Sequence, residues 1–495
     1  MTSRNINVDF NFDNSYAEQL EGFYVPFLGE KAPEPKLVCL NNVLAESLGL
    51  DVKDLPAEDI AAIFSGGIPL KGGRPLAQAY AGHQFGGFSP QLGDGRALLL
   101  GEVIDKNGNR FDIHLKGSGR TSYSRGGDGK AVLGPILREY ILGEAMFALK
   151  IPTTRALAAI TTGETIFREG ERTGAVLARV ASSHIRIGTF EFFASKGETT
   201  KVKQLADYTI QRHFPELKGN KDCYLGLLRA VCDRQARLVA KWMCVGFVHG
   251  VMNTDNITIS GETIDYGPCA FIDTYDSSAV FSSIDHQGRY AYGNQPQIDQ
   301  WNLARFAESL LPLLNEDTDE AVKLATEELN AYSEQYQEYW LAGMRTKLGL
   351  ASKEEDDLNL VIDLHKTMQG HNVDFTLLFR GLSSAIQGEI NTVRRLFDEP
   401  EKFDTWYALW IERLSRDSMT LDERVHSMNA VNPVYIPRNH KVEEALQSAE
   451  KDSNFAPFEK IMEVLAKPFE LREGLEEYAM PAPEDSGPYK TFCGT

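Results

Sequence analysis

Several things are scarce in this 495-residue chain, and each scarcity closes off a class of protein. Cysteine occurs only six times, at positions 39, 223, 232, 244, 269 and 493, with no Cys-x-x-Cys pair and no metal-ligand spacing. That excludes a disulfide framework or a zinc module and sets a reducing, cytoplasmic location as the expectation. No run approaches the ~20 uncharged apolar residues of a membrane span, so no membrane partner is expected. The first residues carry Asp9 and Asp13 where an export signal would need an apolar stretch. Repeats and low-complexity segments are lacking. Positive charge is also short, 51 Lys and Arg against 70 Asp and Glu, a formal net charge of −19. Such a balance argues against a nucleic-acid polyanion as the main partner. It leaves a nucleotide open, because a small ligand feels only the local field.

What is present is an ordinary globular composition, 42% hydrophobic and 24% charged, with an uneven texture. Residues 1–75 mix short amphipathic pieces with Pro-containing loops and read as an N-terminal extension packed on the core. Residues 76–198 are Gly-rich and strand-like. Ala97–Val103 and Arg110–Lys116 flank Lys106-Asn107-Gly108-Asn109, whose Asn-Gly predicts a β-hairpin. A helix is expected from about Pro135, with Leu137, Ile141 and Ala145 on one face, and two further strands at Ala175–Val180 and near Ile185–Phe190. Residues 199–470 are mostly helical, with helices expected at Tyr224–Val245, Trp301–Leu314, Thr326–Leu341 and Phe403–Leu414. Residues 471–495 form a tail that contains Cys493. The acidic runs Glu316–Glu320 and Glu354–Asp357 read as solvated helix starts or loops. The expected fold class is α+β, a protein-kinase-like fold with a small β-rich lobe, a larger helical lobe and an active-site cleft between them.

Chemistry concentrates in Phe247–Pro268, FVHGVMNTDNITISGETIDYGP. A Ser260-Gly261 turn between two short strands predicts a hairpin that pairs Thr258 with Thr263, Ile257 with Ile264, and Asn256 with Asp265. Opposed residues in an antiparallel pair lie roughly 4.5–5.5 Å apart at Cα. An amide oxygen and a carboxylate would then share one face, the oxygen donors that Mg²⁺, or Mn²⁺ in its place, accepts alongside phosphate and water. A plain surface hairpin with two polar residues at its mouth reads equally well from this stretch alone. Upstream, Lys116 ends a strand and Glu139 lies in the next helix, the order in which a kinase fixes an amine on nucleotide phosphates. A lysine at a strand end is more commonly just solvated. It is the succession Lys116, Glu139, Asn256, Asp265 that favours the kinase-like reading.

Two Gly-rich loops flank the lysine, Gly93-Asp94-Gly95-Arg96 and Gly126-Gly127-Asp128-Gly129. Their bare backbone N–H groups can cradle phosphate, although neither is a Walker A or a G-x-G-x-x-G, and most such loops are turns. Arg96, Arg120, Arg179 and Arg186 bring fixed cations that suit phosphate or an ordinary ion pair. The catalytic loop departs from the aminoglycoside-kinase-like pattern His-Gly-Asp-x-x-x-x-Asn. Here it reads His249-Gly250-Val251-Met252-Asn253-Thr254-Asp255-Asn256, with an apolar Val251 at the base position. Asp255 is the nearby carboxylate able to replace it.

The runs AQAYAGHQFGGFSPQLGDGRALLLGE, HLKGSGRTSYSRGGDGKAVLGPILREYILGEAM, RVASSHIRIGTFEFF, GFVHGVMNTDNITISGETIDYGPCAF, SSIDHQGRYAYGNQP and TFCGT resemble the selenoprotein-O family over nearly the whole chain. The resemblance implies a pseudokinase-like protein adenylyltransferase that moves AMP from ATP to Ser, Thr or Tyr hydroxyls of proteins, itself included, with the nucleotide reversed relative to a kinase. It implies ATP contacts from Gly93, Gly95, Arg96, Lys116, Asp128, Gly129, Arg179, Arg186 and Asp265, a metal on Asn256 and Asp265, Asp255 as proton acceptor, and Glu139 paired with Lys116. Some members carry selenocysteine near the C-terminus, where this chain has Cys493. A Cys269–Cys493 disulfide is a further expectation, with two unrelated thiols as its alternative. Other functional readings are a phosphotransferase, UMP transfer from UTP, and a silent nucleotide-binding module.

Overall fold

The computed structural model describes residues 8–483, 487 and 489–491. It is an α+β arrangement built on an eight-stranded sheet whose pairings are all antiparallel. The strand order is Tyr24–Pro26, Leu76–Gln78, Ala97–Ile104, Arg110–Lys116, Glu171–Ala181, Arg155–Phe167 and Lys36–Leu40, with Ala131–Val132 attached to Glu171–Ala181. The expected hairpin at Asn107-Gly108 forms, with Gly108 at φ +84 and the Asp105 carboxylate accepting from the amides of Asn107 and Asn109.

Both faces of the sheet are covered, so Ala97–Val103 is buried at every residue instead of alternating. One face packs on the N-terminal segment, where Ile60, Ile63 and Phe64 meet Leu98, Leu100, Ile113 and Leu115. The other receives the helix Leu133–Ala148, whose Leu137 and Ile141 join Ala159, Ala175 and Leu177 in one core cluster. The helices Asn439–Asp452 and Ala456–Leu465 return to pack on the outer side of that helix. Enclosed between sheet and helices, Leu133–Ala148 is apolar nearly all round. Glu139 and Arg138 are therefore buried in it, and that burial decides what they can do.

The largest cluster of buried side chains is helical. It gathers the helices Ile187–Ala194, Thr199–His213, Cys223–Val245, Gln295–Leu314, Thr318–Lys347, Asp357–Met368, Phe375–Ala385 and Pro400–Leu414. Gly246, at φ +73, ends the central helix Cys223–Val245 in the left-handed conformation that glycine adopts without strain. The chain then enters a two-stranded neck, Phe247 paired with Phe271 and Val248 with Ala270, and the neck closes the base of the loop between them.

Two expectations need correction, and one strand goes unread in the sequence. Ile185–Phe190 is not a strand: only the first residues are extended, and a helix starts at Ile187 behind Arg186, whose backbone amide donates to the Thr189 hydroxyl at 3.1 Å. The strand Arg155–Phe167, without a clean alternating pattern because its first half is buried on both faces, lies outside the sequence reading altogether. Asp317 does cap a helix start, but Asp357 is no solvated acid. It is fully buried and accepts from Arg345 and Arg413.

Candidate active site

The loop between the neck strands is sewn into the protein from both sides. Ile187 donates its amide to the Ile257 carbonyl, and Ile259 donates to Ile185. Across the turn, Thr154 donates to Thr263 and Thr263 to Pro152. The turn itself is one residue wider than expected. Ile257 pairs with Thr263, and the Thr258 hydroxyl accepts from the Glu262 amide at 3.0 Å and donates to its carbonyl at 2.7 Å. Asn256 and Asp265 are therefore not ladder partners. A one-residue slip reverses which side chains share a face, and Asn256 sits in a short 3-10 turn, Thr254–Asn256, instead of a strand.

Asp265 has φ +62, a left-handed conformation that costs a non-glycine residue about 1–3 kcal/mol. In that geometry its carboxylate meets three cations. Oδ1 accepts from Lys116 Nζ at 3.0 Å and Arg179 Nη1 at 2.7 Å, and Oδ2 accepts from Arg186 Nη1 at 2.8 Å. Glu139, from the buried helix, takes Lys116 at 2.5 Å and Arg179 at 2.9 Å. Five charged side chains, each at most 19% exposed, thus form one hydrogen-bonded cluster. Burial opposes ionisation, but the adjacent cations prevail and hold the Asp265 and Glu139 carboxyls below their usual range. Arg186 also lies over the Tyr80 ring, 4.5 Å from its centre.

Asp255 differs in every respect. It is 8% exposed, its Oδ2 receives only Gln84 Nε2 at 3.3 Å, and its Oδ1 is buried without a hydrogen-bond partner. Desolvation lifts its carboxyl to about 7 against the weaker opposing pull of Arg186. Arg186 Nη1 reaches this residue through its backbone carbonyl, at 2.6 Å. A carboxyl poised near neutrality beside fully ionised acids is the pattern of a proton acceptor next to an electrostatic clamp.

Two oxygen donors of this stretch are the ones a divalent cation could take. Asn256 commits its amide nitrogen to the Val251 carbonyl at 3.0 Å, which leaves its Oδ1 for another partner, and Asp265 supplies a carboxylate now shared among nitrogen donors. Hard oxygens of this kind are what Mg²⁺ or Mn²⁺ takes.

The remaining expected residues fall around this centre. Gly117 donates to the Arg96 carbonyl at 2.6 Å, and Ala97 pairs with Lys116, so the Gly93–Arg96 loop lies beside the lysine. Gly93, at φ +68, sits against Tyr123, where a Cβ would come within 2.3 Å of the ring. Gly129 is equally tight on Gly119, a Cβ there falling 2.1 Å from its carbonyl oxygen. Asp128 joins neither cluster; it holds Arg168 through two bonds of 2.8 and 2.9 Å. Arg120 is exposed. Asp265 is largely buried, and its removal would leave three cations without their shared anion. The Cys493 expectation lies outside the described residues. Cys269 is a buried free thiol raised to about 12 by desolvation, and Thr491 donates its hydroxyl to the Pro268 carbonyl beside it at 2.9 Å.

The sequence reading missed the buried polar groups that lie behind this cluster. Arg179 Nε donates to His114 Nδ1 at 3.3 Å, which leaves His114 Nε2 to donate to Asp94 at 3.2 Å. The His114 ring stacks on His184 at 4.2 Å, His184 bonds Asp112 at 3.0 Å, and Arg212 bridges Asp112 to Glu102. Glu102 in turn accepts from the Tyr16 amide and from Ser15. Thr254 donates to Glu191, which also holds His83 at 2.5 Å. The one available signal was polar residues inside apolar strands, as in Asp112-Ile113-His114.

Comparison with known proteins finds relatives over nearly the whole chain. A family model described as "Protein adenylyltransferase SelO" matches residues 7–466. A protein from Cereibacter sphaeroides (strain KD131 / KCTC 12085) is 57% identical over 488 residues, covering 98% of this chain and 100% of the relative. One from Rhizobium leguminosarum bv. trifolii (strain WSM2304) is 56% identical over 489 residues, covering 98% and 97%. Both are named "Protein nucleotidyltransferase YdiU".

Proposed function

The chain belongs to the protein adenylyltransferase SelO family, and on that footing we propose that it is a nucleotidyltransferase moving AMP from ATP to Ser, Thr or Tyr hydroxyls of proteins. The observation that carries the reading is the division of labour between the two aspartates. Asp265 is clamped by Lys116, Arg179 and Arg186, whereas Asp255 is desolvated, raised to about 7 and left with a free oxygen. We read the architecture as kinase-like, with the cleft along this cluster, and the protein as acting on other proteins in the cytoplasm.

In this reading Asp255 Oδ1 takes the proton of the acceptor hydroxyl. The acceptor oxygen forms its bond to the α-phosphorus as the bond to the bridging oxygen of the β-phosphate breaks, and pyrophosphate leaves with that electron pair. Lys116, Arg179 and Arg186 hold the departing end, because their guanidinium and ammonium donors match phosphate oxygens once Asp265 exchanges them. Asn256 and Asp265 would hold Mg²⁺ or Mn²⁺, which supplies further neutralisation of phosphate charge when bound. Val251, at the usual base position, can accept no proton and argues against γ-phosphoryl transfer.

ATP labelled at either the α- or the γ-phosphate is the test. Incubated with Mg²⁺ and the protein, label is expected on protein, the enzyme itself included, from the α position only. Transfer of the γ label alone would overturn the reading in favour of a kinase. UTP in place of ATP measures the UMP alternative directly.

A further inference from the structure

The hairpin Gly82–Gln84 and Gly87–Ser89 hangs beside the catalytic loop, and its register, Gln84 opposite Gly87, leaves Phe85-Gly86 as a two-residue turn. Both turn residues have positive φ, +51 and +85. Such a turn favours Asn-Gly, because an ordinary L-residue in the left-handed region costs roughly 1–2 kcal/mol. A phenylalanine is nonetheless held there. Phe85 is 38% exposed and Phe88 is 42% exposed.

The hairpin is tied to the three residues around the base. His83 donates its amide to the Thr254 hydroxyl at 2.7 Å, Phe85 donates to Asn253 Oδ1 at 3.1 Å, and Gln84 bonds Asp255. Beneath the turn, at ordinary van der Waals distance from Gly86, lies the Arg289 guanidinium. A Cβ on Gly86 would sit 3.7 Å from its Cζ. Arg289 covers Trp301 at 4.7 Å, and Arg305 covers the same indole at 5.0 Å. Arg305 is paired with Glu308. Arg289 has no carboxylate partner among the described residues, and its Nε and Nη2 are buried with no acceptor. Its polar side-chain neighbour is the neutral Tyr290 hydroxyl, so the charge stays without a counter-ion at a cost, in a chain whose net charge of −19 shows no want of acids.

We infer that the tip of this hairpin, with Trp301 and Arg289, is the recognition site for the acceptor protein, taking a segment with an acidic side chain close to the modified hydroxyl. The inference rests on the proposed transfer to proteins. Phe85 and Phe88 supply apolar contact, Arg289 supplies the charge that selects an acid, and the ties to Asn253, Thr254 and Asp255 set the hydroxyl beside the base. Arg289 touches no reacting atom; it is a docking and specificity residue.

The test uses the full chain and two fluorescently labelled random copolymers, poly(Glu,Tyr) and poly(Lys,Tyr), at about 0.15 M salt, where charges beyond ~8 Å are screened. Binding is read by anisotropy without nucleotide, so that a failure of adenylyl transfer leaves the docking result intact. Wild type is expected to bind the acidic copolymer more tightly, against the bulk charge of the protein. Arg289→Glu should weaken that binding at least about tenfold and Phe88→Ser about threefold or more, while ATP affinity stays within about twofold. Phe88, being exposed, reports even if Arg289→Glu fails to fold. Preference of wild type for the basic copolymer, or acidic-copolymer binding unchanged in the folded variants, would overturn the inference. So would displacement of the acidic copolymer by an oligonucleotide of equal charge in both wild type and Arg289→Glu.

Discussion

Asp255 and Asp265 are joined through a single nitrogen: Arg186 Nη1 donates to the backbone carbonyl of the first at 2.6 Å and to the carboxylate of the second at 2.8 Å. The group that would accept a proton and the group that would hold a metal thus keep a fixed spacing without touching. Arg186 itself is held rigidly, as the extended residue that caps the helix Ile187–Ala194.

That arrangement makes Asp255 titratable where it matters. With its carboxyl raised to about 7, kcat/KM should rise with pH through about 7 and flatten above it, and Asp255→Asn should abolish transfer. Stability moves the other way. The folded state binds the proton more tightly than the unfolded chain, whose value is about 3.9, so this group's contribution falls as pH rises from about 4 to 7. Asp255→Asn should therefore melt above wild type at pH 8 and level with it near pH 4. Scanning calorimetry at both values checks the sign.

Asp265 should separate backbone from charge. Asparagine tolerates φ +62 and alanine does not, so Asp265→Asn should be more stable than Asp265→Ala by about 1 kcal/mol. Both should fall below wild type, because Lys116, Arg179 and Arg186 lose their common anion, a loss of about 3–5 kcal/mol for buried pairs. Both should lose α-label transfer. Denaturant melts together with the labelling assay decide it, and equal stability of all three proteins would show that the cluster contributes nothing.

Lys116 and Glu139 should not be equivalent. Glu139→Gln keeps the side-chain shape and one acceptor for Lys116 and Arg179, so it should cost about 1–3 kcal/mol of stability and only partly reduce ATP binding. Lys116→Ala removes a cation from the phosphate grip and should reduce transfer about 100-fold or more. Titration calorimetry with ATP distinguishes them, and indistinguishable small effects would refute the assignment.

Gly82 should be sensitive for a purely steric reason. A Cβ there would lie 2.5 Å from Asp255 Oδ1, so Gly82→Ala must move the base. Displacement by about 1 Å can cost 10²-fold in rate, and ATP affinity should barely change. Steady-state kinetics beside a binding isotherm tests this split.

The pairing of Lys116 with Glu139 is legible in the sequence, because a lysine ending a strand and a glutamate in the next helix are residue types in an order the chain itself fixes. The hairpin register is not. Turn width here depends on the Thr258 hydroxyl bonding both the amide and the carbonyl of Glu262, and no periodicity records that choice. The helix at Ile187 is obscured for a similar reason, since β-branched and aromatic residues imitate a strand while a backbone cap at Arg186 decides the outcome. Nor could sequence reveal that Glu139 must serve two cations, or that Arg179 leans on His114. Those facts arise when the buried helix Leu133–Ala148 meets the strand Glu171–Ala181.

The stitching of the catalytic loop also governs when the centre comes into existence. Its backbone pairs with residues 152–154 and 185–187, far back in the chain. Around it, Tyr489 meets Arg138 across 351 positions and Thr491 meets Pro268 across 223. Contacts so distant in sequence form only after the loop-closure entropy has been met. During synthesis, which adds about 5–20 residues per second from the N-terminal end, the sheet can therefore assemble long before the centre does. Competence arrives with the finished chain, and a ribosome-bound fragment that stops short of the loop has the cations but neither aspartate.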